Sequence, residues 1–195
     1  MNHLAHFHLA GDSDARIVGA LLGDHIKGPL RGTLPESIET GIRLHRRIDA
    51  FTDSHPLVRQ LKACFGPSER RLVGIVADMY FDHLLVLHWS RFHDQELSCF
   101  RDRVHAALDT HRFVLPPQAQ AQFERMRTHD LLCRYRDIAV IEGTLAHIGG
   151  RLHLEPLMQS AMHQARRSMR EVESTFLGFY PELITMALSA AEETR

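Results

Sequence analysis

Apolar residues recur along most of this chain at intervals of three and four, and no stretch keeps the strict alternation of a half-buried strand. The period predicts helices over 14–27, from Thr33 to about Ser54, and on to about Cys64. Further ones follow over 68–89, 94–109, 117–130, 131–148, 153–178 and 181–192. Gly28-Pro29, Ser54-His55-Pro56, Gly66-Pro67, Pro116-Pro117, Gly149-Gly150 and Pro181 supply the breaks. Thr33-Leu34-Pro35-Glu36 reads as a capping box with proline in the first turn. The first dozen residues show no clear period; His6 and His8 would share a face there if the segment were extended. No repeat or linker divides the chain, so the expectation is an all-α, single-domain helical bundle over residues 1–195.

Several charges fall where that pattern is apolar. Asp78 and Asp82 stand at i and i+4 among Ile75, Val76, Met79, Phe81, Leu84 and Leu85. Burying such a pair is costly without compensation, which a divalent cation would supply and which arginines or a narrow solvent-facing stripe could also provide. His45 and Asp49 are likewise one turn apart, offering an imidazole and a carboxylate on one face, with Asp53 a turn further. The same spacing describes an ordinary surface pair. Arg46 and Arg47 point elsewhere and suit a phosphate. Asp24 closes an apolar helix, where the helix dipole disfavours a carboxylate unless the end is solvated. Taken together, three helices offer the acidic residues and the histidine of a carboxylate-rich metal site.

Composition changes this picture by exclusion. With 195 residues, 44% of them hydrophobic and 24% charged, the chain can build one substantial core. A net charge of −1 gives no general attraction to nucleic acid. No run approaches the ~20 apolar residues of a membrane span. The opening residues lack the order of a signal peptide, so a cytoplasmic protein is expected. Cys64, Cys99 and Cys133 are odd in number and far apart, which suits reduced core residues rather than a disulfide framework. Glu-x-x-His is absent, which argues against a di-iron or di-manganese redox bundle.

Asn2-His3-Leu4-Ala5-His6-Phe7-His8-Leu9-Ala10, Leu21-Leu22-Gly23-Asp24, Gly41 to Asp53 with its His-Arg-Arg-Ile-Asp run, and Asp82-His83 occur in that order. Arg134-Tyr135-Arg136-Asp137 and Phe179-Tyr180-Pro181 continue the series. In this order the chain resembles the acyl-carrier-protein phosphodiesterases, a family considered a divergent branch of the HD-domain phosphohydrolases. The resemblance implies removal of 4′-phosphopantetheine from holo acyl carrier protein, with Mn²⁺ or Mg²⁺ as cofactor. It makes Asp24, His45, Asp49, Asp78 and Asp82 the metal candidates. His83, with His6 second, is expected to protonate the leaving serine oxygen. Acyl carrier proteins are acidic, so Lys27, Arg46 and Arg47 near the site, or Arg134 and Arg136, are expected to receive the partner. Arg166, Arg167 and Arg170 form a third cluster, which reads better as a solvated helix face. Adjacent His-Asp occurs only at His93-Asp94 and His129-Asp130, both read as helix-boundary residues, so HD-domain ligand assignments do not transfer directly. The competing readings are a phosphohydrolase of nucleotides or other small phosphodiesters, and a non-catalytic helical module that binds acyl carrier protein.

Overall fold

The computed structural model describes residues 1–192, with side chains through Ala190; residues 193–195 of the expected domain lie outside the described residues. The helices are α1 (His3–Leu9), α2 (Asp14–Leu22), α3 (Glu36–Ser54), α4 (Pro56–Ala63), α5 (Val73–Leu87) and α6 (Trp89–Phe92). They continue as α7 (Leu97–Thr110), α8 (Pro117–Thr128), α9 (Leu131–Arg134), α10 (Ile138–Leu152), α11 (Glu155–Arg167) and α12 (Met169–Glu192). No strand occurs among the described residues, and none of these helices is long and apolar enough to cross a membrane.

Helix α5 is apolar on almost every side and is accordingly buried almost all round, packed against α1, α10, α11 and α12. Beside it, α2 and α3 meet backbone to backbone. A Cβ built on Gly19 would stand 2.4 Å from the Ile38 carbonyl oxygen, and one on Gly41 would stand 2.7 Å from that of Arg16. Only two glycines allow this approach, and it brings the end of α2 against His45 on α3.

The structure departs from the periodicity at specific places. Residues 3–9 are helical, not extended, so His6 and His8 point apart. Seven residues are too few to show a period, and α1 is held by tertiary contacts: Leu4, Ala5, His6, Phe7 and Leu9 are all buried. Helix α3 begins at Glu36 without a side-chain cap, and the acidic partner of the entering loop is buried Glu39, which accepts the Leu34 amide. Gly149-Gly150 lies inside α10, whose stop is left-handed His153. Gly149 serves packing instead, since a Cβ there would stand 2.8 Å from Cβ of Met158 on α11. The helix expected over 131–148 is split by Asp137, which accepts the Ala139 amide and starts α10 afresh. Pro181 does not break α12, because Phe176, Phe179, Tyr180, Leu183 and Ala187 form one buried stripe across it, and that burial outweighs proline's helix penalty of about 3 kcal/mol. The cysteines are free, but Cys64 and Cys99 are exposed and Cys133 is half-buried, so none belongs to the core.

Candidate active site

The α2–α3 contact sets the first ligand-bearing ring. His45 Nδ1 donates to the Ala20 carbonyl at 2.8 Å, which fixes the tautomer and leaves Nε2 aimed away from α2. Gly23 makes room for that ring: a Cβ there would stand 2.2 Å from His45 Cγ. Facing His45 Nε2 are Asp49 Oδ2 at 3.2 Å and Asp24 Oδ1 at 3.7 Å. His6, on α1, stacks on His45 with ring centroids 3.8 Å apart, and its Nε2 lies 3.1 Å from Asp49 Oδ1. Ligand atoms of His6, His45 and Asp49 all fall within 4.8 Å of one another, inside the reach of one cation. Asp78, on α5, completes the wall. The Met1 amino nitrogen lies 3.0 Å from its Oδ1 and 3.5 Å from Asp49 Oδ1.

The donor set can be tested for a positive centre. With its only proton on Nδ1, a neutral His45 would present a lone pair to two carboxylates at once, which is repulsive unless positive charge lies between them. His6 Nε2 faces the Asp49 carboxylate and the Met1 carbonyl oxygen, while its buried Nδ1 has no partner. Burial lowers the His6 imidazole to about 4, favouring the neutral ligand form. Burial would raise Asp49, but the His45 and His6 imidazoles and the Met1 amino group packed beside it hold its carboxyl well below the usual range. Burial raises Asp78, against the pull of the nearby amino group. Two imidazole nitrogens and clustered carboxylates fit a divalent cation, and the mixed N/O set suits Mn²⁺ better than Mg²⁺, which takes mainly oxygen ligands.

The structure separates the sequence-predicted residues. Asp24, His45, Asp49, Asp78 and His6 come together. Asp82 does not present its oxygens to them: Oδ2 accepts the Leu4 amide at 2.7 Å and Oδ1 the Ala5 amide at 3.2 Å. It caps α1 from α5, and thereby seats His6. His83 donates Nδ1–H to the Tyr135 carbonyl at 2.7 Å and has no contact with the cluster among the described residues. Asp53 pairs with Lys62 instead of extending the stripe. Arg46 donates to the Ile26 carbonyl, bracing the loop after Asp24; Arg47 and Lys27 are exposed. Arg134 at the end of α9 and Arg136 on the connection to α10 are exposed, whereas Arg166 is tied in a forked pair to Glu142.

Sequence reasoning missed His3 and Gln122. Gln122 Oε1 accepts from His25 Nε2 at 2.6 Å, and its amide nitrogen donates to His3 Nε2 at 2.7 Å. His3 therefore carries its proton on Nδ1, 3.7 Å from Asp24 Oδ2. Burial lowers the His3 pKa, opposed by Asp24. The only signal in the sequence was the His3–His6 spacing of three, legible once α1 is known to be a helix.

Comparison with known proteins decides the family. The family model described as acyl carrier protein phosphodiesterase matches residues 1–183. The chain belongs to this family. A relative named acyl carrier protein phosphodiesterase from Photorhabdus laumondii subsp. laumondii is 30% identical over 188 residues, covering 96% of this chain and 95% of its own. One of the same name from Serratia proteamaculans is 30% identical, and one from Escherichia coli O157:H7 is 31% identical over 192 residues; each is covered over 97% of its length. No solved structure gives a significant match. In this acyl carrier protein phosphodiesterase family member, every residue of the cluster lies inside the matched region.

Proposed function

We propose that the protein hydrolyses the phosphodiester joining 4′-phosphopantetheine to the serine of holo acyl carrier protein, using a divalent cation held by His6, His45 and Asp49. The observation that carries this reading is the convergence of those ligand atoms within 4.8 Å, in a chain of this family. Asp24 and Asp78 flank the triad and complete the charge that a cation and its waters require. When bound, Mn²⁺ or Mg²⁺ supplies Lewis-acid polarisation of the phosphoryl group and a more acidic water.

The protein groups divide the remaining work. The Ala20 carbonyl and the close approach of Gly23 fix the His45 ring, so this part of the ligand face is set before substrate arrives. His3 is the hydrogen-bond donor of this reading: Gln122 holds the ring proton on the nitrogen nearest Asp24, beside the cluster, where the N–H can stabilise the charge that builds on a departing serine oxygen. His83 and Asp82 support the scaffold. An all-helical fold with histidine and aspartate ligands is in keeping with the HD-domain relationship that the resemblance implies, although these ligands sit on separate helical turns and not in an adjacent pair. Incubation of the protein with holo acyl carrier protein and Mn²⁺ tests the reading. His45→Ala should lower kcat/KM by about 10²–10³-fold. Unchanged turnover in His45→Ala and Asp49→Ala would displace the site.

A further inference from the structure

Beside the cluster, α10 turns one face outward. Thr144, His147, Ile148 and Arg151 recur at steps of three and four and line a cavity of about 490 Å³. Its inner end is Asn2 and His3. A second cavity of about 490 Å³ continues along the same face to Val140 and Gly143. The two share Arg125, Leu131, Thr144 and His147, so they form one groove that starts at the candidate active site.

We propose that this groove holds the pantetheine arm of the substrate, with the phosphodiester at His3 and the thiol end toward Gly143. The inference rests on the function proposed above and adds the location of the arm. Its length agrees. From Arg151 to Val140 the helix rises ~16 Å at 1.5 Å per residue. The arm, extended from phosphorus to sulfur, reaches ~15 Å, judged from the ~3.5 Å spanned by three backbone bonds. Its chemistry agrees as well. The arm is uncharged and alternates amides and a hydroxyl with methyl and methylene groups. The inner cavity alternates Met79, Met126 and Ile148 with Asn2, Tyr135 and Thr144. At the outer end a Cβ on Gly143 would meet nothing within 4 Å, leaving room for the terminal chain. Arg125, Arg134 and Arg151 stand exposed along the groove with no ion pair among the described residues, which places positive charge where an acidic carrier protein would rest while its arm is inserted.

Thr144→Trp and Ile148→Trp fill the groove without touching the cluster. Binding of 4′-phosphopantetheine and of inorganic phosphate to the Mn²⁺-loaded protein is measured by calorimetry, together with turnover of holo acyl carrier protein. The wild type should bind 4′-phosphopantetheine at least about tenfold more tightly than phosphate. Both variants should bring that ratio close to one and raise KM, with phosphate binding unchanged. If tryptophan prevents folding, judged by helical circular dichroism, Ile148→Phe decides by the same ratio. Wild-type release of phosphopantetheine together with unaltered ratios in the folded variants overturns the groove assignment alone. Failure of the wild type to release phosphopantetheine overturns the proposed function and the groove with it.

Discussion

A methyl group at position 23 would collide with the ring of His45, and this gives glycine there a chemical consequence. Gly23→Ala should leave the fold helical but lower Mn²⁺ affinity by about 10–100-fold, as loss of a ligand's supporting contact commonly does. Titration calorimetry checks it, and unchanged affinity would show that the ring has freedom to move. Asp82 and Asp78 share α5 but should respond differently. Asp82→Ala leaves two buried amides of α1 without an acceptor and should cost about 2–3 kcal/mol of stability, read from urea melts. Asp78→Ala should lower turnover, and its stability cost comes from the buried Met1 amino group that it leaves with Asp49 alone. His8 supplies the pH dependence. In the neutral ring its Nε2–H donates to the Phe92 carbonyl and its Nδ1 accepts from the Tyr180 hydroxyl, so both nitrogens are satisfied without a charge. Burial lowers its pKa to about 4, so below about 6.5 the unfolded chain takes up a proton that the folded one refuses. Stability should therefore fall between pH 6.5 and 4, by up to about 3 kcal/mol from this residue. His8→Gln keeps a donor and an acceptor and should flatten that slope; parallel pH curves would contradict the assignment.

At the scale of the element, the decisive contacts are the α2–α3 crossing and the seating of α1. Gly19→Ala or Gly41→Ala forces the two backbones apart and should cost at least about 1–3 kcal/mol, with activity lost as His45 follows α3. Thermal melts check this; a stable Gly41→Ala variant would mean that the helices adapt. These elements also show what could be read from sequence. Helices α2 and α3 carried their period in plain form, and the i,i+4 pair His45–Asp49 keeps its spacing in the folded protein. Helix α1 was hidden because a seven-residue segment buried on nearly every side has no polar face to reveal its period. Asp82 was legible as a buried carboxylate but not as a cap, since its partners lie 77 and 78 residues away. His3 stayed unseen for the same reason: Gln122, which orients it, is 119 residues distant. Proline and paired glycines misplaced two breaks because local propensity lost to a continuous buried face in α12 and to the α10–α11 contact.

Across the whole molecule, a net charge of −1 hides a local arrangement. Acidic residues gather around the histidines, while Arg125, Arg134 and Arg151 edge the groove along α10. KM for holo acyl carrier protein should rise with ionic strength, whereas turnover of a small diester should respond far less. The most direct test of the central claim is the mass of acyl carrier protein after incubation with this enzyme, run with Mn²⁺ and after exhaustive chelation. The account predicts conversion of holo protein to apo protein, with free 4′-phosphopantetheine appearing in equal amount and only where the metal is present. An unchanged holo mass with Mn²⁺, or full conversion after chelation, would contradict it.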